Sequence, residues 1–297
     1  MPSSRSPADT AKADWFLDEI FTAAKIPLQP SVPAVFHYTS ADGLRGILQT
    51  GEIFASHIEF LNDTTELQYG LGVVRPRLAV LEAHGLKRWV GMLESGLDER
   101  LGTEIFATCF CAQDDLLPQW HGYGAAGSGY SIGFGTKTLS LDGKAILLPV
   151  SYGDAEAIQR ADLAIQWAIG RMKAYELADD ADAAKDIFTT LATCLILIVT
   201  TSKKAVFGHE QEWRFFTIYH HAKDLKDLEF RTIHGLLVPY LRVTIPRPIA
   251  GGPLDIVSIR CGPTLLDDAV VRAIRLLLSK SGLPHVPVLR SEAPLRR

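Results

Sequence analysis

Strand-like segments stand on both sides of a helical middle, and that arrangement limits the fold more than any single motif does. Before the middle, residues 35–38, 53–56, 104–111, 127–134 and 145–152 are rich in β-branched and aromatic side chains bounded by turn residues. After it, the same signal returns at 213–219, 230–233, 236–245 and 254–259. Residues from 154 to about 204 carry helical spacing, broken near Asp179 to Asp182. A last short strand at 286–289 contains Pro287, which suits a sheet edge. Strands and helices do not alternate regularly, so the pattern predicts an α+β fold rather than a doubly wound sheet. Neither a repeat nor a low-complexity linker interrupts it. The expected organisation is an N-terminal extension, 1–34, with one helix over 9–24, followed by a single domain over 35–297. That domain would carry a helical insertion at about 154–204.

Composition narrows the function classes. A net charge of -4 and a pI near 6.1 leave no broad basic footprint for nucleic acid or for an anionic membrane. The four cysteines, Cys109, Cys111, Cys194 and Cys261, lack zinc-ligand spacing and read as buried thiols. The N-terminus has no apolar signal core, and the longest apolar run, 191–199, is short for a bilayer and reads as a buried helix. A cytoplasmic protein without a membrane partner is expected.

One motif fails on context. Gly122-Tyr123-Gly124-Ala125-Ala126-Gly127 has the dinucleotide G-x-G-x-x-G spacing. That fingerprint needs a strand running into its first glycine and a helix opening at its last, whereas here a predicted helix precedes and a strand follows.

Four polar-aromatic groups remain: His37-Tyr38-Thr39, Asn62-Asp63 with Glu66, Trp120 with Tyr123, and Glu210-Gln211-Glu212-Trp213-Arg214. Each has a structural reading. His37 at a strand end fits a packed, satisfied histidine, Asp63 with Glu66 fits a capping box (as Thr264 with Asp267 does later in the chain), Trp120 and Tyr123 at helical spacing fit a core, and Arg214 can neutralise a neighbouring glutamate. Glu210 and Glu212, spaced i, i+2 at the mouth of a strand, are expected to project to one face and crowd their charges. Taken together, the groups supply donors near strand ends, flat rings and a carboxylate with no metal partner. That set suits cleavage of an N-glycosidic nucleotide such as NAD. Breaking the nicotinamide–ribose bond develops positive charge on the sugar, which a carboxylate on the ribose hydroxyls stabilises. An aromatic ring can stack on the cationic nicotinamide, and arginine suits the pyrophosphate.

The chain resembles a bacterial family classed as domain of unknown function 2971. The resemblance is carried by Phe36-His37-Tyr38-Thr39-Ser40, Leu61-Asn62-Asp63 with Glu66, Trp120 to Tyr123, and Gly129-Tyr130-Ser131-Ile132-Gly133-Phe134. It continues through Glu210 to Arg214, Cys261-Gly262-Pro263 and Leu289-Arg290-Ser291. That family is in turn similar to the ADP-ribosyltransferase fold of the His-Tyr-Glu class. The resemblance implies a split β-sheet core that takes NAD as substrate, uses no metal, and passes ADP-ribose to a protein or nucleic-acid acceptor. A toxin or phage-defence setting would be in keeping with it. Glu212 would be catalytic with His37 and Tyr123. His37, Tyr38, Thr39, Asn62, Trp120, Tyr123, Tyr130, Ser131 and Arg214 would hold NAD, with the stacking ring open between Trp120, Tyr123 and Tyr130. Glu210 and Glu66 would serve the acceptor or support the site. NAD hydrolysis and non-catalytic nucleotide sensing are the alternatives.

Overall fold

The computed structural model describes residues 16–27, 30–61, 65–103, 105–140, 145–174, 181–218, 227–233 and 235–294. The chain divides into two compact units where its sequence reads as one domain. One comprises Met1–Leu28, Ile58–Glu104 and Ser151–Gly208, the other Gln29–His57, Ile105–Val150 and His209–Arg297. The helical material is therefore wider than the insertion expected at 154–204, because residues 58–104 pack with it.

The first unit is mainly helical. Helices Thr65–Val74, Lys87–Thr103 and Asp154–Ala174 pack against Ala181–Thr200, and residues 16–23 are also helical. The remainder of the helix expected over 9–24 lies largely outside the described residues. Helix Ala181–Thr200 is apolar around most of its circumference, with Phe188, Leu191 and Leu195 to Val199 buried, which suits a central position. Its stretch Asp182–Thr200 is long and apolar enough to cross a membrane, and 78% of that window is buried inside the protein. Gly70 lets helix Thr65–Val74 come close, since a Cβ there would lie 2.3 Å from the Val199 carbonyl oxygen. Trp89 stacks on Phe188 at 4.2 Å.

Twelve strands are found among the described residues. In chain order they are β1 (Ala34–Thr39), β2 (Glu52–His57), β3 (Ile105–Cys111), β4 (Tyr130–Gly135), β5 (Ala145–Pro149) and β6 (Ser151–Tyr152). They continue with β7 (Ser202–Lys203), β8 (Glu212–Ile218), β9 (Leu228–Ile233), β10 (Leu236–Thr244), β11 (Ile256–Cys261) and β12 (Val288–Arg290). β6 and β7 form a small parallel pair in the helical unit. The other ten form the mixed sheet of the second unit, eight of them in the order β12-β11-β4-β1-β3-β2-β10-β9, with β8 and β5 branching from β3. β12 runs parallel to β11 and the remaining pairs are antiparallel. The fold is thus α+β, with β12 at the edge that Pro287 suggests.

β3 is the branch point of the sheet. One of its edges pairs along its whole length with β8, which in turn pairs with β5. Both β1 and β2 must then share the other edge. β1 meets it at Cys111, through Phe36, and β2 meets it at Ala107 and Phe106. Between those two contacts β1 and β2 part company.

One sheet face carries the apolar core. Val35, Ile53, Phe110, Ile132, Trp213, Phe215 and Ile259 meet Leu44 and Ile47 of helix Ala41–Thr50 and Ile274 and Leu278 of helix Asp268–Lys280. Ser40 caps the first of these helices, its Oγ accepting from the Gly43 amide, and Gly51 stops it at φ 70°. Asp267 caps the second. Thr264 takes no part in that cap, because its hydroxyl donates to the Gly127 carbonyl at 2.9 Å. The glycine-rich approach to β4 also has a packing reason. A Cβ on Gly129 would lie 2.4 Å from the Thr39 carbonyl oxygen, and one on Gly262 would lie 2.4 Å from that of Gly127.

Candidate functional site

The parting of β1 and β2 leaves backbone groups of β3 and β2 without ladder partners, and side chains satisfy two of them. His37 Nδ1 lies 3.0 Å from the Cys109 carbonyl oxygen, and the Thr108 hydroxyl donates to the Phe54 carbonyl at 3.0 Å. A cavity of about 360 Å³ opens at this split. β1 and the following helix line it with His37, Thr39, Asp42 and Ile47, β2 with Glu52 and Phe54, and the β9–β10 hairpin with Arg231 and Arg242. Its size lies within the range of small-ligand sites.

Two expected ligand-binding residues, His37 and Thr39, therefore stand in one cleft. Burial pushes the His37 pKa down, the Cys109 carbonyl opposes this, and the charge of Arg231 adds to the lowering. A neutral ring facing a carbonyl through Nδ1 carries its proton there, which leaves Nε2 as an acceptor. The Thr39 hydroxyl lies over Gly43, where a Cβ would approach it to 2.0 Å.

Glu212 is placed elsewhere. Its partner across the ladder is Cys111, whose own partner on the other side is Phe36. Directly opposed residues share a face and neighbours along a strand alternate. Glu212 and Arg214 thus lie on the face of Phe36 and Tyr38, whereas His37 and Thr39 turn to the other. Glu212 does not line the cleft, and β1 is still closed against β3 at its level. The Arg214 guanidinium holds the carboxylate through two contacts, Nε to Oε1 at 2.7 Å and Nη2 to Oε2 at 3.0 Å. The two side chains are only 3% and 6% exposed.

Glu210 does not share a strand face with Glu212. It ends the 3-10 turn Ala205–Glu210, Gln211 has φ 48°, and extended backbone begins only at Glu212. The Glu210 carbonyl accepts from the Cys111 thiol and from Gln119 Nε2.

The aromatic groups collect on the Glu212 side of the sheet. Tyr38, Cys111 and Trp120 form a small apolar cluster against which Phe36, Leu116 and Tyr123 pack. Trp120 is fully buried, donates Nε1–H to Asp115 at 2.7 Å, and meets Tyr38 edge-on at 4.7 Å. The Tyr38 hydroxyl donates to the Gln113 carbonyl and accepts from the Leu116 amide, and burial raises its pKa. Burial likewise pushes the Cys111 thiol up to about 12. Asp115 also takes hydrogen bonds from Ser291 and the Glu292 amide, which explains the terminal Leu289-Arg290-Ser291 signal as a structural tie. Ser131 faces the Tyr38 side and is buried, while Tyr130 lies in the main core. Glu66 belongs to the helical unit, where it pairs with buried Lys203 at 2.7 Å. Asn62 lies outside the described residues. Gly122 to Gly127 connects helix Leu117–Gly122 to β4, the context that rules out a dinucleotide fingerprint. Among the described residues, no three His, Cys, Asp or Glu side chains stand together as a metal-binding group.

Arg231 and Arg242 are the cleft residues that motif reasoning missed. Their only signal was charge alternating with apolar residues on the hairpin, which tells that they share a face but not what that face meets. Arg242 is fully engaged, with Nε and Nη2 on the two oxygens of Glu229 at 2.6 and 3.0 Å. Those contacts and the Tyr240 hydroxyl hold the exposed Glu229 carboxyl at about 2.

Comparison with known proteins adds one match. No curated protein and no solved structure matches the chain. Residues 119–215 match the model of a family described as a protein of unknown function, DUF2971. The match runs from Gln119 in helix Leu117–Gly122 to Phe215 in β8, about a third of the chain, and it supports the resemblance to that family.

Proposed function

We propose that this protein is ADP-ribosyltransferase-like: it binds NAD in the split between β1 and β2, cleaves the nicotinamide–ribose bond, and passes ADP-ribose to a protein or nucleic-acid acceptor. The observation that carries the reading is the convergence of His37 and Thr39 with Arg231 and Arg242 on one cleft. A neutral His37 offers an acceptor for a ribose hydroxyl, Thr39 offers a further hydroxyl, and the arginines suit phosphate. The branched sheet, with a ligand-sized opening where its strands part, supports the split-sheet core that the family resemblance implies.

A second reading, nucleotide binding without chemistry, is favoured by the position of Glu212. A carboxylate that stabilises positive charge on the ribose has to reach the ribose. Glu212 is held by Arg214 where β1 is closed against β3, outside the cleft lining, and the carboxylates lining the cleft are Asp42 and Glu52.

Incubation with NAD labelled in its ADP-ribose part separates the readings. Transfer predicts nicotinamide release and label on a macromolecule, both lost in His37→Ala. Free ADP-ribose with no labelled acceptor indicates a glycohydrolase. A rise in melting temperature with NAD left intact indicates a sensing module. The absence of both nicotinamide release and a thermal shift would remove NAD from consideration.

A further inference from the structure

The two arginines of the cleft differ in one respect that points to a ligand. Both belong to the β9–β10 hairpin, and with Glu229 and Tyr240 they share a face with Phe54 and Ser56 of β2. Arg242 has its counter-ion in Glu229, and the Glu52 carboxylate lies 3.7 Å away as well. Asp42, a further carboxylate lining the cleft, pairs with Arg45 at 3.0 Å. Arg231 has no carboxylate partner among the described residues. Its Nη2 donates to the Ser56 hydroxyl at 2.7 Å, and its Nε is buried with no acceptor. Phe54 and Tyr240, whose rings pack on each other at 4.4 Å, both flank the guanidinium, each ring centroid 5.6 Å from Cζ.

A guanidinium stays charged even when partly desolvated, and an uncompensated charge is costly to keep there. An anion in the cavity would offset that cost. We infer that Arg231 is the phosphate-recognition residue of the cleft, its guanidinium taking the diphosphate of a nucleotide. The assignment rests on the reading that the cleft binds a nucleotide. It explains why a charge lines the same cleft as His37 and Thr39 with no carboxylate partner among the described residues, and it gives the two walls different roles. β1 meets the sugar hydroxyls and the hairpin meets the phosphates. Arg242, already neutralised by Glu229, packs its guanidinium 5.2 Å from the Phe54 ring centroid and so braces that wall.

Titration of the full chain with adenosine, ADP and inorganic pyrophosphate tests the assignment. Wild type is expected to bind ADP at least about tenfold more tightly than adenosine, since a charge-assisted hydrogen bond is worth that much. Arg231→Gln should lose the preference and keep the adenosine affinity, and Arg231→Lys should regain part of it. Should Arg231→Gln fail to fold, Arg231→Lys and the salt dependence of the wild-type preference carry the test, because a charge contact weakens as ionic strength rises. An unchanged ADP-to-adenosine ratio in Arg231→Gln would overturn the assignment and leave NAD binding through His37 standing. If wild type binds pyrophosphate through Arg231 but neither ADP nor NAD, the anion site stands and the NAD reading fails. If wild type binds none of them, both fall.

Discussion

Replacing Glu212 by Gln separates a structural carboxylate from a chemical one. In the folded protein its two oxygens meet two nitrogens of Arg214 at 2.7 and 3.0 Å, with both side chains almost wholly buried. Gln keeps one acceptor but turns an amide NH₂ toward the guanidinium and removes the Glu212 charge that neutralises it. Breaking a buried ion pair from one side costs about 3–5 kcal/mol, and the retained oxygen places this substitution near about 3 kcal/mol. That is a large share of a typical net stability of about 5–15 kcal/mol. Urea unfolding followed by circular dichroism should show the midpoint falling with an unchanged slope. The double variant Glu212→Leu with Arg214→Met should recover much of the loss, because an apolar pair of similar volume leaves no unpaired charge. The reasoning is refuted if Glu212→Gln unfolds at the wild-type midpoint while NAD cleavage disappears. Glu212 would then be doing chemistry from where it sits.

Further outcomes can be checked alongside. Trp120→Ala should lower stability by about 3–5 kcal/mol in the same urea assay, since it empties a fully buried site and orphans the Asp115 contact. Gly129→Ala should be strongly destabilising, because the new methyl meets the Thr39 carbonyl at 2.4 Å. Gly91→Ala, where a Cβ meets nothing within 4 Å in helix Lys87–Thr103, should be neutral or stabilising by up to about 1 kcal/mol; a matched loss in both would refute the packing argument. His37 has a folded pKa below its ordinary 6.5, so the unfolded chain takes up its proton first as the pH falls. Its contribution is present above pH 6.5 and is lost as the pH falls through the folded value. Stability measured from pH 7.5 to 5 should therefore decline less steeply in His37→Gln than in wild type.

Much of the fold was legible locally. β-branched and aromatic runs bounded by turn residues marked most of the strands. His37 and Thr39 stood out only as donors near a strand's end taken together with the other polar-aromatic groups, since a lone histidine there is more often packed than a ligand. The glycines before β4 were visible as glycines, but their reason, contact with the Thr39 and Gly124 backbones, was not.

The amino-acid sequence by itself determined the α+β class, the element types and the pairing of side chains along each strand, because those follow from local periodicity and turn chemistry. Only the tertiary structure decided which face met which cavity. Alternation tells that His37 and Tyr38 point apart, yet the sides they take depend on register with strands about 70 to 175 residues away, as in Phe36 with Cys111 and Cys111 with Glu212. The positive φ of Gln211 broke the presumed alliance of Glu210 and Glu212, a backbone event that no side-chain pattern encodes. Arg231 shares the sheet face of Glu212, yet it lines the cleft because β2 and the hairpin stand on the open side of the split, whereas Glu212 sits where β1 is closed against β3.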